Sequence, residues 1–183
     1  DGVSDWSENT TTSTLPLSYA PHRDDLIINE IMYRPLQDDF DGRSNQPEYV
    51  ELVNATERWI SLQGLFTTNR PREWGEADTL DLGIEQMHVA PQGYTVVYAE
   101  REPDPDAPSI LEQAFPSQWT TGAEAPTVVA VPRARLGLRV QEDRIRFHRA
   151  DGRPIATVDY SPDWHASGLQ DDRGVALERI SQT

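Results

Sequence analysis

Hydrophobic and polar residues alternate over short segments along most of this chain, which is the pattern of half-buried β-strands. The clearest example is DRIRFHR, residues 143–149, in which the apolar Ile145 and Phe147 alternate with arginine and histidine residues. Asp151 and Gly152 follow closely and are typical of a tight hairpin turn. This part of the chain therefore predicts an antiparallel hairpin with one face in the core.

Similar segments recur along the chain, separated by turn residues at intervals near ten residues. The predicted strands are residues 26–33, 48–54, 58–62, 79–82, 93–99, 127–131, 136–140, 143–149, 154–160 and 174–180. Strands do not alternate with long helical patterns, which excludes a doubly wound nucleotide-binding sheet. We therefore predict an all-β protein with the architecture of a two-sheet β-sandwich.

One short helix is predicted at about residues 110–115. Ser109 and Glu112 have the spacing of a capping box, and Leu111 and Phe115 can share one helical face. The helix lies in a segment, residues 101–126, that is interrupted by Pro103, Pro105, Pro108, Pro116 and Pro126. We predict that this segment is a long Pro-rich surface loop carrying the helix.

The chain divides into a polar N-terminal arm, residues 1–24, and a β-sandwich domain, residues 25–183. The arm is rich in threonine and has no periodicity, and its candidates for contact with the domain are Leu15, Leu17 and Tyr19. No run of about 18 apolar residues occurs, so we expect no membrane insertion. The chain begins at Asp1 without an initiator methionine, and we interpret it as part of a larger protein.

The charge narrows the possible partners. The sequence has 31 acidic residues against 16 basic ones, for a formal net charge of −15, and every basic residue is an arginine. Such a surface repels phosphate backbones and anionic lipids, so nucleic acid is not expected as a partner. The acidic, lysine-free composition favours a salt-adapted source; the alternative explanation for arginine in place of lysine is a high genomic GC content. Cysteine is absent, which rules out disulfides and thiolate metal sites.

Two predicted strands carry a carboxylate inside an apolar run. Glu30 lies in LIINEIMYRP and Glu51 in PEYVELVN. Strict alternation places Asn29 with Ile31 on one face and Glu30 with Ile28 on the other, so each face carries a polar group. We interpret Glu30 and Glu51 as structural carboxylates, held by backbone donors or an arginine in strands covered on both faces. A metal site and a catalytic acid–base pair are the alternatives.

An acidic segment between these strands, QDDFDGRSNQPE, resembles a calcium-binding loop of the EF-hand type. Counted from Gln37, the candidate oxygen ligands are Asp39, Asp41, Asn45 and Glu48, with Gly42 at the sharp turn. Position one is a glutamine where such loops have aspartate. The alternative is a solvated acidic turn. Calcium is the one cofactor that the sequence suggests.

The histidines give no sign of a metal site. His22, His88, His148 and His165 lack the paired spacing of zinc ligands. His148 is predicted to point outward from its strand. The sequence also has no nucleophile elbow and no phosphate-binding glycine loop. We therefore predict that the protein is not an enzyme.

Positive charge is concentrated in one segment of this acidic chain. Residues 133–153 contain seven arginines against three acidic residues. Arg144, Arg146 and Arg149 form a possible docking strip for an acidic partner, such as another copy of the domain or an anionic glycan. The alternative is pairing of these arginines with the protein's own acids across neighbouring strands.

The order of motifs resembles the lamin tail domain family, the immunoglobulin-like module of nuclear lamins that also occurs in bacterial surface and secreted proteins. The segments that carry the resemblance are IINEIMYRP, PEYVELVNATERWISLQGL, PQGYTVVY, LGLRVQEDRIRFHRADGRPIATVDY and DWHASGLQDDRGVALERI. The acidic segment LQDDFDGRSNQ and the Pro-rich loop depart from the family pattern. The resemblance implies an immunoglobulin-like sandwich that has no catalysis of its own.

The leading functional hypothesis is a non-catalytic interaction or architectural module of a larger secreted or cell-surface protein. Its partners are then the other domains of that protein and a protein or glycan of unknown identity. The main alternative is a calcium-assisted glycan-binding domain that uses the acidic loop and Trp74 or Trp119. A more distant alternative is a hydrolase domain with its site near Glu30 and Glu51.

The acidic excess generates a prediction about salt. If it reflects adaptation to salt, the melting temperature should rise between low salt and about 1 M salt, where the screening length is about 3 Å and carboxylate repulsion is suppressed. Thermal unfolding measured over this range checks the prediction, with a near-neutral β-sandwich of similar size as the control. A flat profile, or a rise equal to that of the control, would contradict it.

Overall fold

The computed structural model describes residues 17–36, 45–69, 79–84, 87–100, 109–114, 127–132 and 136–180. The predicted all-β character is confirmed. In chain order the strands are β1 (Leu26–Met32), β2 (Tyr49–Asn54), β3 (Ile60–Ser61), β4 (Leu65–Asn69), β5 (Thr79–Asp81), β6 (His88–Val89), β7 (Tyr94–Glu100), β8 (Thr127–Pro132), β9 (Asp143–Arg149), β10 (Pro154–Tyr160) and β11 (Leu177–Glu178).

The strands form two main sheets and a short third one. A five-stranded sheet has the order β11-β1-β2-β7-β8, a four-stranded sheet has the order β10-β9-β4-β5, and β3 pairs with β6. The β7–β8 pair is parallel, and the other pairs are antiparallel. β1 and β2 each have a neighbouring strand on both sides in the larger sheet. Their side chains therefore contribute to both faces of this sheet.

One apolar core lies between the inner faces of the two main sheets. Among its fully buried members are Leu26, Val50 and Val97 from the five-stranded sheet and Leu65, Ile145 and Phe147 from the four-stranded sheet. Burying a side chain of this size stabilises the fold by roughly 1.5–3 kcal/mol. Two sheets that share a core in this way are consistent with the predicted β-sandwich.

A predicted strand at residues 136–140 is wrong. Leu136 and Leu138 are buried as their alternation suggested, but the segment belongs to no sheet. Side chains satisfy its backbone instead: Leu138 N–H donates to Glu48 at 3.1 Å, and Arg139 N–H donates to the Tyr160 hydroxyl at 2.9 Å. That hydroxyl in turn donates to the Arg139 carbonyl at 2.7 Å. Hydrophobic alternation found the burial here but not the backbone pairing.

Two strands were not predicted. β4 connects β9 to β5, and its Thr67 is buried. Threonines in LFTTN gave the segment a polar appearance although β-branched residues suit a strand. β6 has two residues and is too short to show any periodicity.

The predicted helix is confirmed as α1 (Ile110–Ala114), in which Gln113 N–H donates to the Ser109 carbonyl at 3.0 Å. It covers the outer face of the five-stranded sheet, where Leu111 joins a second apolar cluster with Met32, Tyr49, Val96 and Tyr98. Glu100 links the helix to the sheet by accepting from Ile110 N–H at 3.3 Å and from the Tyr98 hydroxyl at 2.9 Å. Both faces of this sheet are therefore covered at this end.

The face assignment expected for β1 is wrong because the strand contains a β-bulge. Ile28 lies opposite Leu52 and Glu30 lies opposite Glu51, so Asn29 is an extra residue without a counterpart in β2. An extra residue shifts the alternation by one position. Ile28 and Ile31 consequently both belong to the core, whereas Glu30 lies on the outer face.

Arg179 donates hydrogen bonds to the bulge from the side of β1 opposite β2. β11 is too short to continue along β1, and the next residue, Arg179, donates its backbone N–H to the Asn29 carbonyl at 2.8 Å. Its side-chain Nε donates to the Ile28 carbonyl at 3.1 Å. The carbonyls of the bulge are thus satisfied without a full neighbouring strand.

The predicted hairpin is confirmed. β9 and β10 pair directly, and the turn between them has Gly152 in the left-handed region at φ 78°. Gly152 N–H donates to the Arg149 carbonyl at 2.9 Å. Glycine adopts this conformation without the steric cost that a side chain would add.

We predict that Arg179→Met lowers the free energy of unfolding by about 1 kcal/mol, because the Ile28 carbonyl loses its donor while the aliphatic packing is kept. Chemical denaturation measures the change. The matched control is Arg173→Met, which removes an exposed arginine that is paired with Asp171 and should change stability by less than about 0.5 kcal/mol. Equal losses in both variants would show that the contact with the bulge is not special.

Candidate functional site

Three carboxylates lie in one row across the five-stranded sheet. Glu30 lies directly opposite Glu51 of β2 and directly opposite Glu178 of β11. The structure therefore brings together the two glutamates singled out in the sequence and adds a third. Like charges directly opposite one another destabilise a sheet, so this row needs compensating contacts.

Side chains of neighbouring residues provide these contacts. The Tyr49 hydroxyl donates to Glu30, and the Asn29 amide Nδ2 donates to Glu51 Oε1 at 2.8 Å. The sequence predicts backbone donors or an arginine at these positions, and the structure has a tyrosine and an asparagine instead. The bulge explains the difference, since its extra residue, Asn29, is the one whose amide reaches Glu51.

Burial raises the pKa of Glu30, and the charges of Glu51 and Glu178 raise it further, although the hydrogen bond from Tyr49 acts in the opposite direction. Burial likewise raises the pKa of Glu51, with a further rise from Glu178 and an opposing effect of Asn29. Burial and the bond to Glu30 raise the pKa of Tyr49, which keeps its phenol protonated as a donor. Raised carboxyl pKa values also occur in catalytic sites, but here burial and like charges account for them.

The candidate calcium loop is only partly within the described residues. Asp39 and Asp41 lie outside them, whereas Asn45 is exposed. Glu48 is 7% exposed, and its Oε2 accepts the hydrogen bond from Leu138 inside the fold. This oxygen is therefore already bound, which does not favour Glu48 as a calcium ligand. Within the described ranges, no group of three or more histidine, aspartate or glutamate side chains is arranged to hold a metal ion.

Trp74 and Trp119, the aromatic residues of the glycan-binding hypothesis, also lie outside the described residues. The arm is described from residue 17 onward. Its Tyr19 forms a parallel bridge with Ile60, while the Leu17 side chain is exposed. The Tyr19 ring also contacts the Arg58 guanidinium, 5.0 Å away, and Asp24 N–H donates to the Ile155 carbonyl at 2.9 Å, so the arm contacts the domain at several points. Leu15 lies outside the described residues.

A polar cluster that the sequence did not reveal joins β1 to the C-terminal segment. The buried Tyr33 donates its hydroxyl to Asp172 Oδ2 at 2.7 Å, and His165 Nε2 lies 3.1 Å from the same hydroxyl. Arg34 forms an ion pair with Asp172. Burial opposes ionisation of Asp172, but the bond from Tyr33 and the charge of Arg34 together hold its pKa below the usual value.

Burial and the contact with Asp172 raise the pKa of Tyr33, so its phenol is protonated and donates to Asp172. The sequence segment HASGLQDD contains both His165 and Asp172. These residues follow Tyr33 by 132 and 139 positions, so no local spacing identifies the cluster. We interpret the cluster as a structural link.

The three arginines of the predicted docking strip differ in the residues that they contact. Arg144 lies opposite Asp159, and its guanidinium binds both carboxylate oxygens, with Nη2 2.9 Å from Oδ2. The hydrogen bond from Arg144 lowers the pKa of Asp159, although burial opposes the shift. Arg149 lies 3.9 Å from Asp151. These two arginines pair with the protein's own acids, as the alternative interpretation proposed.

Arg146 differs from its neighbours in the strip. It is exposed, and the residues directly opposite it are Thr68 of β4 and Thr157 of β10. His148, two positions further along β9, was predicted to point outward but is 8% exposed. Stacking on Phe66 and a 2.7 Å hydrogen bond with Thr68 bury it on the outer face of the sheet.

Comparison of the sequence with protein-family models gives no match, and a search of curated proteins likewise finds no similar sequence. The resemblance to the lamin tail domain therefore depends on the quoted motifs alone. The described part of the chain contains no helix long and apolar enough to cross a membrane.

The glutamate row generates a prediction about pH. Because the pKa of Glu51 is higher in the folded than in the unfolded protein, its protonated form stabilises the fold. That stabilisation is complete below the unfolded pKa and is lost as the pH rises through the folded pKa. Glu51→Gln keeps the acceptor for Asn29 but removes the charge, so at pH 7 it should raise stability by about 0.5 kcal/mol, or roughly 1–2 °C.

Thermal unfolding of Glu51→Gln and wild type between pH 4 and pH 7 measures this effect, because pH 4 lies just below and pH 7 lies well above the reference pKa of about 4.3. The difference between the two proteins should shrink toward the acid end of the range. The control is Glu57→Gln, an exposed glutamate outside the row. A variant that is less stable than wild type at pH 7 would show that the ionised carboxylate stabilises the fold.

Proposed function

We propose that the protein is a non-catalytic, immunoglobulin-like interaction or architectural module of a larger secreted or cell-surface protein. The observation that carries the proposal is that four carboxylates of the domain accept hydrogen bonds within the fold. Glu30, Glu48, Glu51 and Asp172 each accept a hydrogen bond that joins separate parts of the fold. Groups used in this way stabilise a scaffold, whereas a catalytic acid or base must be available to a substrate.

The arrangement of the family-like motifs supports the finer assignment. IINEIMYRP contains most of β1 with its bulge, PEYVELVN contains β2, PQGYTVVY contains most of β7, and LERI contains β11. These strands are neighbours in one sheet. RIRFHRADGRPIATVDY forms the hairpin of the opposing sheet. Motifs that are scattered in the sequence thus meet in space, as expected if they specify one immunoglobulin-like fold.

The hydrolase alternative receives less support. Catalytic carboxylate pairs do combine a raised pKa with a second carboxylate nearby. At this site, however, both carboxylates are held by neighbouring side chains, and the adjacent residues belong to an apolar cluster under α1. The assignment as a structural row explains these contacts without requiring a substrate.

A substrate panel tests the proposed function. Wild type and the double variant Glu30→Gln/Glu51→Gln are incubated with chromogenic glycosides, esters and phosphoesters, and Glu57→Gln serves as the control for an unrelated charge change. We expect no turnover that depends on Glu30 or Glu51. Turnover by wild type that falls at least about 100-fold in a folded double variant, as expected for loss of acid–base catalysis, would overturn the proposal.

A further inference from the structure

A depression on the outer face of the four-stranded sheet is lined in part by Arg146, which has no acidic residue directly opposite it. Its volume is about 510 Å³. We call it the Arg146 groove and define it by Arg23, Thr68, Arg146, His148 and Thr157, which are among the residues that line it. It is distinct from the glutamate row, which belongs to the other sheet.

The contrast between two arginines of β9 identifies the charged group of the groove. Arg144 lies opposite an acid, Asp159, and binds it through both carboxylate oxygens. Arg146 points to the same face but lies between Thr68 and Thr157, which carry no charge. The charge of Arg146 contributes to the lowered pKa of Asp159, but the hydrogen bonds of that carboxylate are with Arg144. A guanidinium forms paired hydrogen bonds with a carboxylate, and such bonds are about twice as strong as neutral ones.

Apart from Arg23, which lies 3.7 Å from Asp24, the groups around Arg146 suit hydroxyls rather than a second charge. His148 Nδ1 lies 3.0 Å from the Arg149 carbonyl, which can only accept, so we assign the proton to Nδ1. In the neutral imidazole, Nε2 then accepts from the Thr68 hydroxyl at 2.7 Å. The Thr68 oxygen retains acceptor capacity, and the exposed Thr157 hydroxyl can both donate and accept.

The charge of the whole protein limits the kind of anion that fits. Asp24 also lines the groove, 3.7 Å from Arg23, and the net charge of −15 repels any polyanion at long range. A ligand with one carboxylate and several hydroxyls gains the contact with Arg146 at a smaller electrostatic cost. Nucleic acids and densely sulfated chains do not meet this condition.

We propose that the Arg146 groove binds a carboxylate-bearing sugar, with the Arg146 guanidinium on the carboxylate and the hydroxyls of Thr68 and Thr157 on ring hydroxyls. This inference rests on the proposed function, which it deepens by naming a ligand class for the interaction module. It requires neither calcium nor the acidic loop.

Titration followed by NMR tests the inference. The probe is galacturonic acid, which has one carboxylate and several hydroxyls, at about 0.15 M salt, where the Debye length is about 8 Å and long-range repulsion is reduced. Backbone amide shifts should concentrate at Arg146, His148 and Thr157. Arg146→Gln should weaken binding at least about 10-fold, and Thr157→Val about 3-fold, because each loses hydrogen bonds to the ligand. Arg146→Lys keeps the charge but loses the planar fork and should fall between wild type and Arg146→Gln.

Two control variants separate this site from general charge effects. Arg173→Gln/Asp171→Asn removes an exposed ion pair elsewhere on the protein without changing the net charge, and Arg173→Gln alone removes one positive charge. Both should bind within about 2-fold of wild type, since exposed charges act weakly over distance at this ionic strength. Melting temperatures of all variants establish that each is folded.

Two further probes decide the ligand class. Galactose should bind at least about 10-fold more weakly than galacturonic acid, because it lacks the carboxylate. Acetate offers a carboxylate without ring hydroxyls and should also bind more weakly. Absence of galacturonate binding at millimolar concentration, full binding by Arg146→Gln, or equal binding of either comparison probe would overturn the inference. The substrate panel measures turnover and does not depend on these binding results. The inference can therefore fail while the proposed function stands.

Discussion

The extra residue in β1 is the constraint on which the arrangement of this protein depends. Without a shift at Asn29, Ile28 and Ile31 would lie on opposite faces, and one of them would leave the core. With the shift, both isoleucines are buried and Glu30 reaches the outer face beside Glu51. A bulge leaves backbone groups without regular partners, and Arg179 supplies donors to the two carbonyls concerned.

Tyr49 lies at the boundary between the polar and apolar parts of the outer face. Its ring belongs to the apolar cluster under α1, while its hydroxyl donates to Glu30. An aromatic side chain with one polar end suits such a boundary because it contributes buried area and a hydrogen bond together. The glutamate row therefore lies next to a hydrophobic patch without leaving the Glu30 carboxylate unpaired, although both glutamates retain raised pKa values.

Apolar segments bounded by turn residues were sufficient to predict β2 and β7, which are buried on both faces. Alternation was sufficient to predict the β9–β10 hairpin, although β10 contains a register shift between Pro154 and Ala156. It failed at Asn29 because an inserted residue changes the phase without changing the composition. It failed at residues 136–140 because burial of alternate leucines does not require a neighbouring strand when Glu48 and Tyr160 satisfy the backbone. For the candidate sites, the sequence suggested Glu30, Glu51 and Arg146, but the partners that distinguish them come from distant segments that no local spacing reveals.

The link between β1 and the C-terminal segment has a consequence for how the chain reaches its native state. Tyr33 and Asp172 are 139 residues apart, and Arg179 meets Ile28 across 151 residues. During synthesis, β1 emerges early but its β11 edge cannot close until almost the whole domain has left the ribosome. Contacts of such long sequence separation slow folding, and an open strand edge invites pairing with another chain in the meantime. The short length of β11 and the charge of Arg179 leave this edge little opportunity to recruit a foreign strand once it has closed.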